Sequence, residues 1–166
     1  MKQELIDKLI EILEHEYRVY ENIHRISKDK TNIIVEGKVS ELDNVVKLEQ
    51  ALVLQISRID KQREEIIIQL SKEVQSDTQS LNISEIKKHA NKEQNKKLEA
   101  YQNNMNNLVN ELTHVNQLNS KLIKNSLEFI EFSLNLMSNA DVVSNNYGQK
   151  GETSQKARKN RFDMKL

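Results

Sequence analysis

The chain contains no proline and three glycines among its 166 residues, and this shortage of turn-forming residues constrains its fold more than any other feature. Sandwiches, barrels and doubly wound sheets need frequent turns, which draw heavily on these two residue types. Most of the chain is therefore predicted to be helical. Because hydrophobic residues make up 37% of the sequence and aromatic residues 4%, the side chains cannot fill a thick interior. The sequence predicts an all-α fold built as a thin assembly of helices.

Two long amphipathic helices are predicted in the first half of the chain. From Lys2 to about Val35, apolar residues recur at steps of three and four, which is typical of a helix with a broad buried face. Gly37 is a natural end for this helix, because glycine enters the left-handed region without a steric penalty. Ser40-Glu41-Leu42-Asp43 resembles a capping box, so we expect the second helix to begin there. A link of about five residues predicts an antiparallel hairpin.

The buried seam of the second helix contains two charged residues, Glu49 and Arg63. They share their register with the apolar residues Leu42, Val45, Leu52, Ile56, Ile59, Ile66 and Leu70. Polar residues in a helical seam commonly fix the register by pairing with neighbours, and this interpretation is favoured over a direct function. From Gln75 to Leu81 the periodicity is lost, which predicts a loop. A short turn of helix is expected from Ser84 to His89.

The third long helix, predicted from about Asn91 to Asn139, has the clearest heptad pattern. One row of heptad positions reads Leu98, Met105, Leu112, Asn119, Ser126 and Ser133, and the other reads Tyr101, Leu108, Val115, Leu122, Phe129 and Leu136. Six heptads in phase indicate a coiled coil. This helix would span on the order of 70 Å, against roughly 50 Å for each of the first two. Part of its apolar surface must therefore be covered by a second copy, by the tail or by a partner.

The sequence changes character after Asn139, which divides the chain into a helical domain, 1–139, and a C-terminal tail, 140–166. The tail is mostly polar, holds two of the three glycines, and is expected to be flexible in isolation. Tyr147 and Phe162 are isolated aromatic residues there, and such side chains commonly anchor a segment in a partner's pocket. The expected architecture is an elongated antiparallel helical bundle or coiled coil of three long helices with a flexible C-terminal tail.

Composition and charge disfavour several classes of function. The 25 basic residues balance 25 acidic ones, so no net field attracts nucleic acid or anionic lipid. The absence of cysteine excludes disulfides and cysteine chemistry and favours a cytoplasmic location. No apolar run approaches the roughly 20 residues of a membrane helix, so no membrane insertion is expected. A secretory signal has an uninterrupted apolar core, whereas this chain has the acidic residues Glu4 and Asp7 near its start.

Catalysis and metal binding are also disfavoured, and no cofactor is predicted. His15-Glu16 with Val19 lacks the second histidine of the zinc-protease helix motif. Two Glu-x-x-His pairs, Glu21 with His24 and Glu111 with His114, have the spacing of di-iron bundles. Such a site also needs inward glutamates on two further helices, whereas three long helices are predicted. The protein is expected not to be an enzyme.

Amides interrupt the seam of the third helix at Asn116, Asn119 and Asn125. Buried asparagine usually specifies register or oligomeric state, because each amide must find a partner. Alternatively, this half of the helix is partly unoccupied and uses its amides with Phe129 and Phe132 to hold an incoming chain. Composition leaves both interpretations open.

The order of these features resembles the FlgN family of flagellar type III export chaperones over nearly the whole chain. The resemblance lies in the long first helix, the seam pair Glu49 and Arg63, and the stretch from Val115 to Phe129, with its N-x-x-N and later Leu-x-Phe. The tail adds Asn146-Tyr147 and Phe162-Asp163.

The resemblance implies a cytoplasmic chaperone that binds the terminal segments of the hook-filament junction proteins FlgK and FlgL, prevents their premature assembly and delivers them to the export gate. The implied client-binding residues are Val115, Asn116, Asn119, Leu122, Phe129, Phe132 and Leu136. Docking on the cytosolic domain of the gate protein FlhA is expected through Tyr147, Gly148 and Phe162. The alternatives are a structural coiled-coil dimer or adaptor, and an export chaperone for filament or cap subunits. A homodimer remains open, because a long third helix suits packing within one chain or between two.

Overall fold

A computed structural model describes residues 2–75 and 81–144 of the protein, with side chains as far as residue 138. In this part of the chain there are four helices and no strand, with bounds α1 (Lys2–Val35), α2 (Val39–Val74), α3 (Ile83–His89) and α4 (Lys92–Ser144). The prediction of an all-α fold with three long helices is therefore confirmed. The chain forms two compact units, unit 1 (Met1–Asn125) and unit 2 (Ser126–Leu166), and α4 contributes residues to both.

The turn between α1 and α2 is closed by Gly37, as the sequence predicts. Gly37 has a φ of +67°, in the left-handed region where a side chain would cause strain. Its N–H donates to the carbonyl oxygen of Ile34 at 3.1 Å, and the N–H of Lys38 donates to that of Ile33 at 3.1 Å. This is the Schellman arrangement, which satisfies carbonyl groups left over at a helix end.

The predicted capping box at Ser40 is wrong. Helix α2 begins at Val39, and Lys38 occupies the N-cap position without a side-chain cap. The N–H of Leu42 already donates to the carbonyl oxygen of Lys38 at 3.0 Å. Ser40 therefore lies inside the first turn, where its backbone is helical and unsuited to a cap. The tight Gly37 turn starts α2 earlier than the side-chain pattern suggested.

Within unit 1, α1 and α2 form the predicted antiparallel hairpin, and α4 follows α1 in the same direction. Its direction is defined by two contacts: Gln94 bonds to Gln3 and Asp7 near the start of α1, and Asn119 bonds to Ser27 near its end. One buried cluster joins all four helices and includes Leu9, Leu70, Ile86 and Leu98. A second cluster, farther along α1, contains Val19, Ile23 and Ile59.

The link between α2 and α4 contains the short helix that the sequence predicts. Asn82 caps α3 by accepting a hydrogen bond from the N–H of Glu85 at 3.0 Å, and Ile86 packs into the core. Most of the loop predicted before it, residues 76–80, lies outside the described residues.

Helix α4 begins with a reciprocal cap. The Oδ1 of Asn91 accepts from the N–H of Gln94 at 2.9 Å, while the Oε1 of Gln94 accepts from the N–H of Asn91 at 3.0 Å. The helix then continues to Ser144, five residues beyond the predicted end at Asn139. The tail predicted after Asn139 is thus helical for its first residues, and the rest of it lies outside the described part of the chain.

Candidate functional site

The α4 segment of unit 2 exposes an unusual density of large apolar side chains. Phe129 is 70% exposed and Met137 is 69% exposed. The set of exposed large apolar residues within 126–138 is Leu127, Phe129, Ile130, Phe132, Leu134, Leu136 and Met137. Single exposed apolar residues are normal, but a contiguous group of this kind marks an interaction surface. We call these seven residues the exposed face.

Two members of the exposed face, Phe129 and Leu136, continue a heptad row of α4 whose earlier members lie in the interior of unit 1. Earlier members of the rows are buried, such as Leu98 and Leu108, or half-buried, such as Leu112 and Val115. Phe129 and Leu136 follow at the same seven-residue spacing, yet both are exposed. The same sequence pattern therefore forms core in unit 1 and solvent-facing surface in unit 2.

The structure divides the predicted client-binding residues into three groups. Phe129, Phe132 and Leu136 belong to the exposed face, and Asn116 is exposed in unit 1. Val115 and Leu122 are half-buried. Asn119 is 2% exposed. The residues predicted to dock on the gate, Tyr147, Gly148 and Phe162, lie outside the described residues.

Asn119 requires a correction, because its side chain is committed to the interior of unit 1. Its Nδ2 donates to the carbonyl oxygen of Ser27 at 2.8 Å, and its Oδ1 accepts from the hydroxyl of Thr31 at 2.7 Å. With donor and acceptor both satisfied in a buried position, the amide fixes the register of α4 on α1. It offers no surface to an incoming chain.

Glu49, the first seam charge of α2, belongs to the same polar layer. Its carboxylate accepts from Lys30 Nζ at 2.7 Å through each oxygen and from the hydroxyl of Ser27 at 3.1 Å. The side chain of Ser27 thus contacts α2 while its carbonyl oxygen contacts α4. This layer links the three long helices, which agrees with the register interpretation of Glu49.

Arg63, the second seam charge, pairs with Glu16, which the sequence analysis considered only as part of an incomplete zinc-protease motif. Glu16 is 4% exposed and accepts from Arg63 Nη1 at 3.2 and 3.1 Å through its two oxygens. Tyr101 of α4 donates its hydroxyl to the same carboxylate at 3.1 Å, and Asp60 accepts from Arg63 Nη2 at 2.7 Å. A buried charge is tolerated when it is paired and hydrogen-bonded in this way. Glu16 lies three residues from both Leu13 and Val19 on the buried stripe of α1. This spacing is the sequence signal that could have indicated its burial.

The environment of Tyr101 disfavours its ionised form. Burial raises the pKa of the phenol well above its usual value of 10.0, and the neighbouring charge of Glu16 and the hydrogen bond to it act in the same direction. A tyrosinate at this position would face a carboxylate at hydrogen-bond distance. Tyr101 therefore serves unit 1 as a neutral donor.

The two Glu-x-x-His pairs approach each other on α1 and α4, but they do not form a metal site. His24 Nε2 lies 3.4 Å from Glu111 Oε2, beside a polar cavity of about 420 Å³ between α1 and α4, but the pair lacks hydrogen-bond geometry. His114 is exposed. Among the described residues, no three His, Asp or Glu side chains lie close enough to hold a metal ion. Nor does any described helix combine the length and apolarity needed to cross a bilayer.

Comparison with known protein families supplies the decisive observation. The model of the FlgN protein family matches residues 1–155 of this chain. The chain belongs to the FlgN family. Searches of curated proteins and of solved structures give no match. FlgN proteins are flagellar export chaperones, so this role applies to the chain in general terms, and the resemblance noted in the sequence is confirmed.

Replacing Asn119 by alanine is expected to destabilise the protein by about 1–3 kcal/mol, because the Thr31 hydroxyl loses its acceptor and the Ser27 carbonyl loses a donor inside the core. Urea unfolding followed by circular dichroism measures this change. The matched control is Asn116→Ala, on the exposed side of the same turn, with an expected effect within about 0.5 kcal/mol. Equal effects of the two substitutions would contradict the structural role of Asn119.

Tyr101→Phe is expected to reduce the loss of stability at alkaline pH. The pKa of Tyr101 is raised in the folded protein, so the contribution of this tyrosine to the free energy of unfolding is fully present below pH 10.0. This contribution is lost as the pH rises, because the unfolded chain ionises first. The wild type should lose up to about 1.4 kcal/mol per pH unit from this group. Urea midpoints at pH 8 and pH 11 test the difference. An identical alkaline decrease in both proteins would show that Tyr101 does not cause it.

Proposed function

We propose that this FlgN-family protein is a cytoplasmic chaperone, without catalytic activity, for the hook-filament junction proteins FlgK and FlgL. It binds their terminal segments, keeps them unassembled and delivers them to the export gate through FlhA. The observation that carries the proposal is the exposed face of α4 in unit 2, present in a chain that belongs to a family of export chaperones.

The physical basis for client binding is burial of apolar surface on helix α4. An amphipathic client segment would form a helix and place its apolar side on the exposed face, as in other helix-in-groove interactions. Phe129, Phe132 and Leu136 are the central residues of this interaction. Each aromatic or aliphatic side chain removed from water contributes about 1.5–3 kcal/mol. Client contacts are also proposed in unit 1, at Asn116 and at the partly exposed side chains of Val115 and Leu122.

Binding in this way also accounts for the chaperone role. A terminal segment whose apolar side is covered cannot pair with another subunit, so assembly is delayed until release. The client loses conformational entropy when it becomes ordered, which limits the net affinity. Moderate affinity is what a carrier needs if it is to release its client for export.

Delivery to the gate is assigned to the tail. Tyr147 and Phe162 are aromatic residues in a mostly polar segment, and Gly148 follows Tyr147 directly. An aromatic ring next to glycine can enter a pocket without hindrance from a neighbouring side chain. The proposal therefore separates the two interactions, with clients on α4 and the FlhA cytosolic domain on the tail.

The double substitution Phe129→Ala and Phe132→Ala should weaken capture of FlgK and FlgL terminal segments at least tenfold, or by about 1.4 kcal/mol or more. Its melting temperature should be unchanged, because both rings are exposed. Titration calorimetry measures the affinity. The matched control is Asn135→Ala, on the polar side of α4. Titration with filament subunits tests whether the protein prefers junction proteins as clients. Stronger binding of filament or cap subunits would favour the alternative client class. A large decrease in melting temperature would show that the rings belong to a folded interface, as in a structural dimer.

Tyr147→Ala should weaken binding to the FlhA cytosolic domain and reduce export, while client affinity stays within about twofold of the wild type, a difference of about 0.4 kcal/mol. The reason is that Tyr147 lies outside the sequence segment proposed to hold clients. Pull-down with purified FlhA domain, beside client titration, measures both effects. Loss of both interactions together would reject the proposed division between α4 and the tail.

A further inference from the structure

A polar cavity in unit 1, between α1 and α4, has no role in the function proposed above. Its volume is about 420 Å³, and its lining includes Glu21 and His24 of α1 and Glu111 of α4. The amides of Asn104 and Asn107 also line it. None of these residues belongs to the two buried clusters of the core. The cavity is therefore a separate feature of the helix pair.

The cavity carries two carboxylates and neither lysine nor arginine. Its acidic lining residues are Glu21 and Glu111, and no lysine or arginine in the described part of the chain forms an ion pair with either. The cations Arg18 and Lys97 line an adjoining cavity instead, and Lys97 pairs with Glu93 at 3.7 Å. Two like charges at one cavity favour a ligand that brings positive charge.

The imidazole of His24 adds an unsatisfied nitrogen at the same place. Its Nε2 is buried without a hydrogen-bond partner, and it lies 3.4 Å from Glu111 Oε2. Buried polar atoms normally have a partner, because leaving one unpaired costs free energy. A group with several N–H donors, bound in the cavity, would contact this nitrogen and the Glu111 carboxylate together.

The chemistry of the lining favours an organic cation over a metal ion. Within the described ranges, no three His, Asp or Glu side chains lie close enough to coordinate a metal. An ammonium group is less demanding, since it donates three hydrogen bonds at about 2.7–3.2 Å. The lining also has an apolar part, formed by Leu108 and the ring of Tyr17, whose hydroxyl is hydrogen-bonded to Glu21. Such a surface suits the methylene groups of an aliphatic cation.

We propose that this cavity binds an aliphatic diamine in its doubly protonated form. One ammonium group contacts Glu111 and His24 Nε2, with the imidazole proton on Nδ1, and the other contacts Glu21. The methylene chain lies against Tyr17 and Leu108. A dication matches the two carboxylates, whereas a single ammonium would leave one of them uncompensated. The ligand contacts both α1 and α4, so its binding stabilises unit 1.

The test uses the full chain with putrescine as the probe and the uncharged diol of the same chain length as its control. Calorimetry at neutral pH and low salt should show one site per chain for putrescine and none for the diol. Glu21→Gln and Glu111→Gln should each weaken binding about fivefold or more, and both residues are exposed, so the fold should be retained. Glu64→Gln, an exposed position of α2 outside the cavity, removes the same charge and should change the affinity less than about twofold.

Nitrogen-15 NMR of the histidine side chains provides a readout that general charge attraction does not move. The Nε2 resonance of His24 should shift as putrescine is added, while the resonances of the exposed His114 stay in place. This measurement uses the wild type, so it decides the matter even if a substituted variant loses helix content.

Four results would overturn the inference. The first is a wild type that binds no putrescine at about 1 mM. The second is binding that Glu21→Gln and Glu111→Gln leave unchanged, or that Glu64→Gln weakens as much, since the attraction would then be general. The third is equal binding of the diol. The fourth is a His24 resonance that does not move at saturation. Client binding is measured independently, so the proposed function and this inference can fail separately.

Discussion

The register of α4 on α1 determines which apolar side chains the protein buries in its first unit. Three buried polar contacts set this register: Gln94 with Gln3 and Asp7, Tyr101 with Glu16, and Asn119 with Ser27 and Thr31. Apolar packing alone tolerates sliding by a heptad, whereas an unmatched buried amide or carboxylate costs about 1–3 kcal/mol or more. The polar contacts thus exclude other alignments that the heptad rows would otherwise permit.

With clients bound as proposed, this arrangement separates stability from binding along one helix. Up to about residue 122, the heptad rows of α4 contribute to the core of unit 1, and the polar contacts lie in the same part. Beyond it, the rows carry large apolar side chains that no described helix covers, and substitutions there act on exposed positions. A chaperone benefits from this division, since its binding surface can be matched to a client without altering the packing that keeps the protein folded.

The sequence predicted the helices well because their periodicity is strong and the chain lacks residues that break helices. It also identified Gly37 as the turn and found Glu49 and Arg63 as seam charges, and the structure supplied their partners, Lys30 and Glu16. The capping box at Ser40 failed because the Gly37 turn starts α2 through backbone bonds, which the side-chain pattern does not reveal. Asn119 was ambiguous for a different reason. Whether a seam amide is satisfied internally depends on residues about 90 positions away, and no local pattern contains that information.

The long sequence separation between the partners of these contacts also affects the order in which the protein folds during its synthesis. Asn119 and Ser27 are 92 residues apart, whereas the α1 and α2 hairpin is closed by a tight local turn. Domains assemble from the N-terminus during synthesis, and local contacts form before distant ones. The hairpin is therefore available as a template before α4 is complete, and the exposed face of α4 is synthesised after it. These exposed apolar side chains are thus synthesised after the hairpin that receives the first part of α4, which shortens the interval in which nascent copies could aggregate through them.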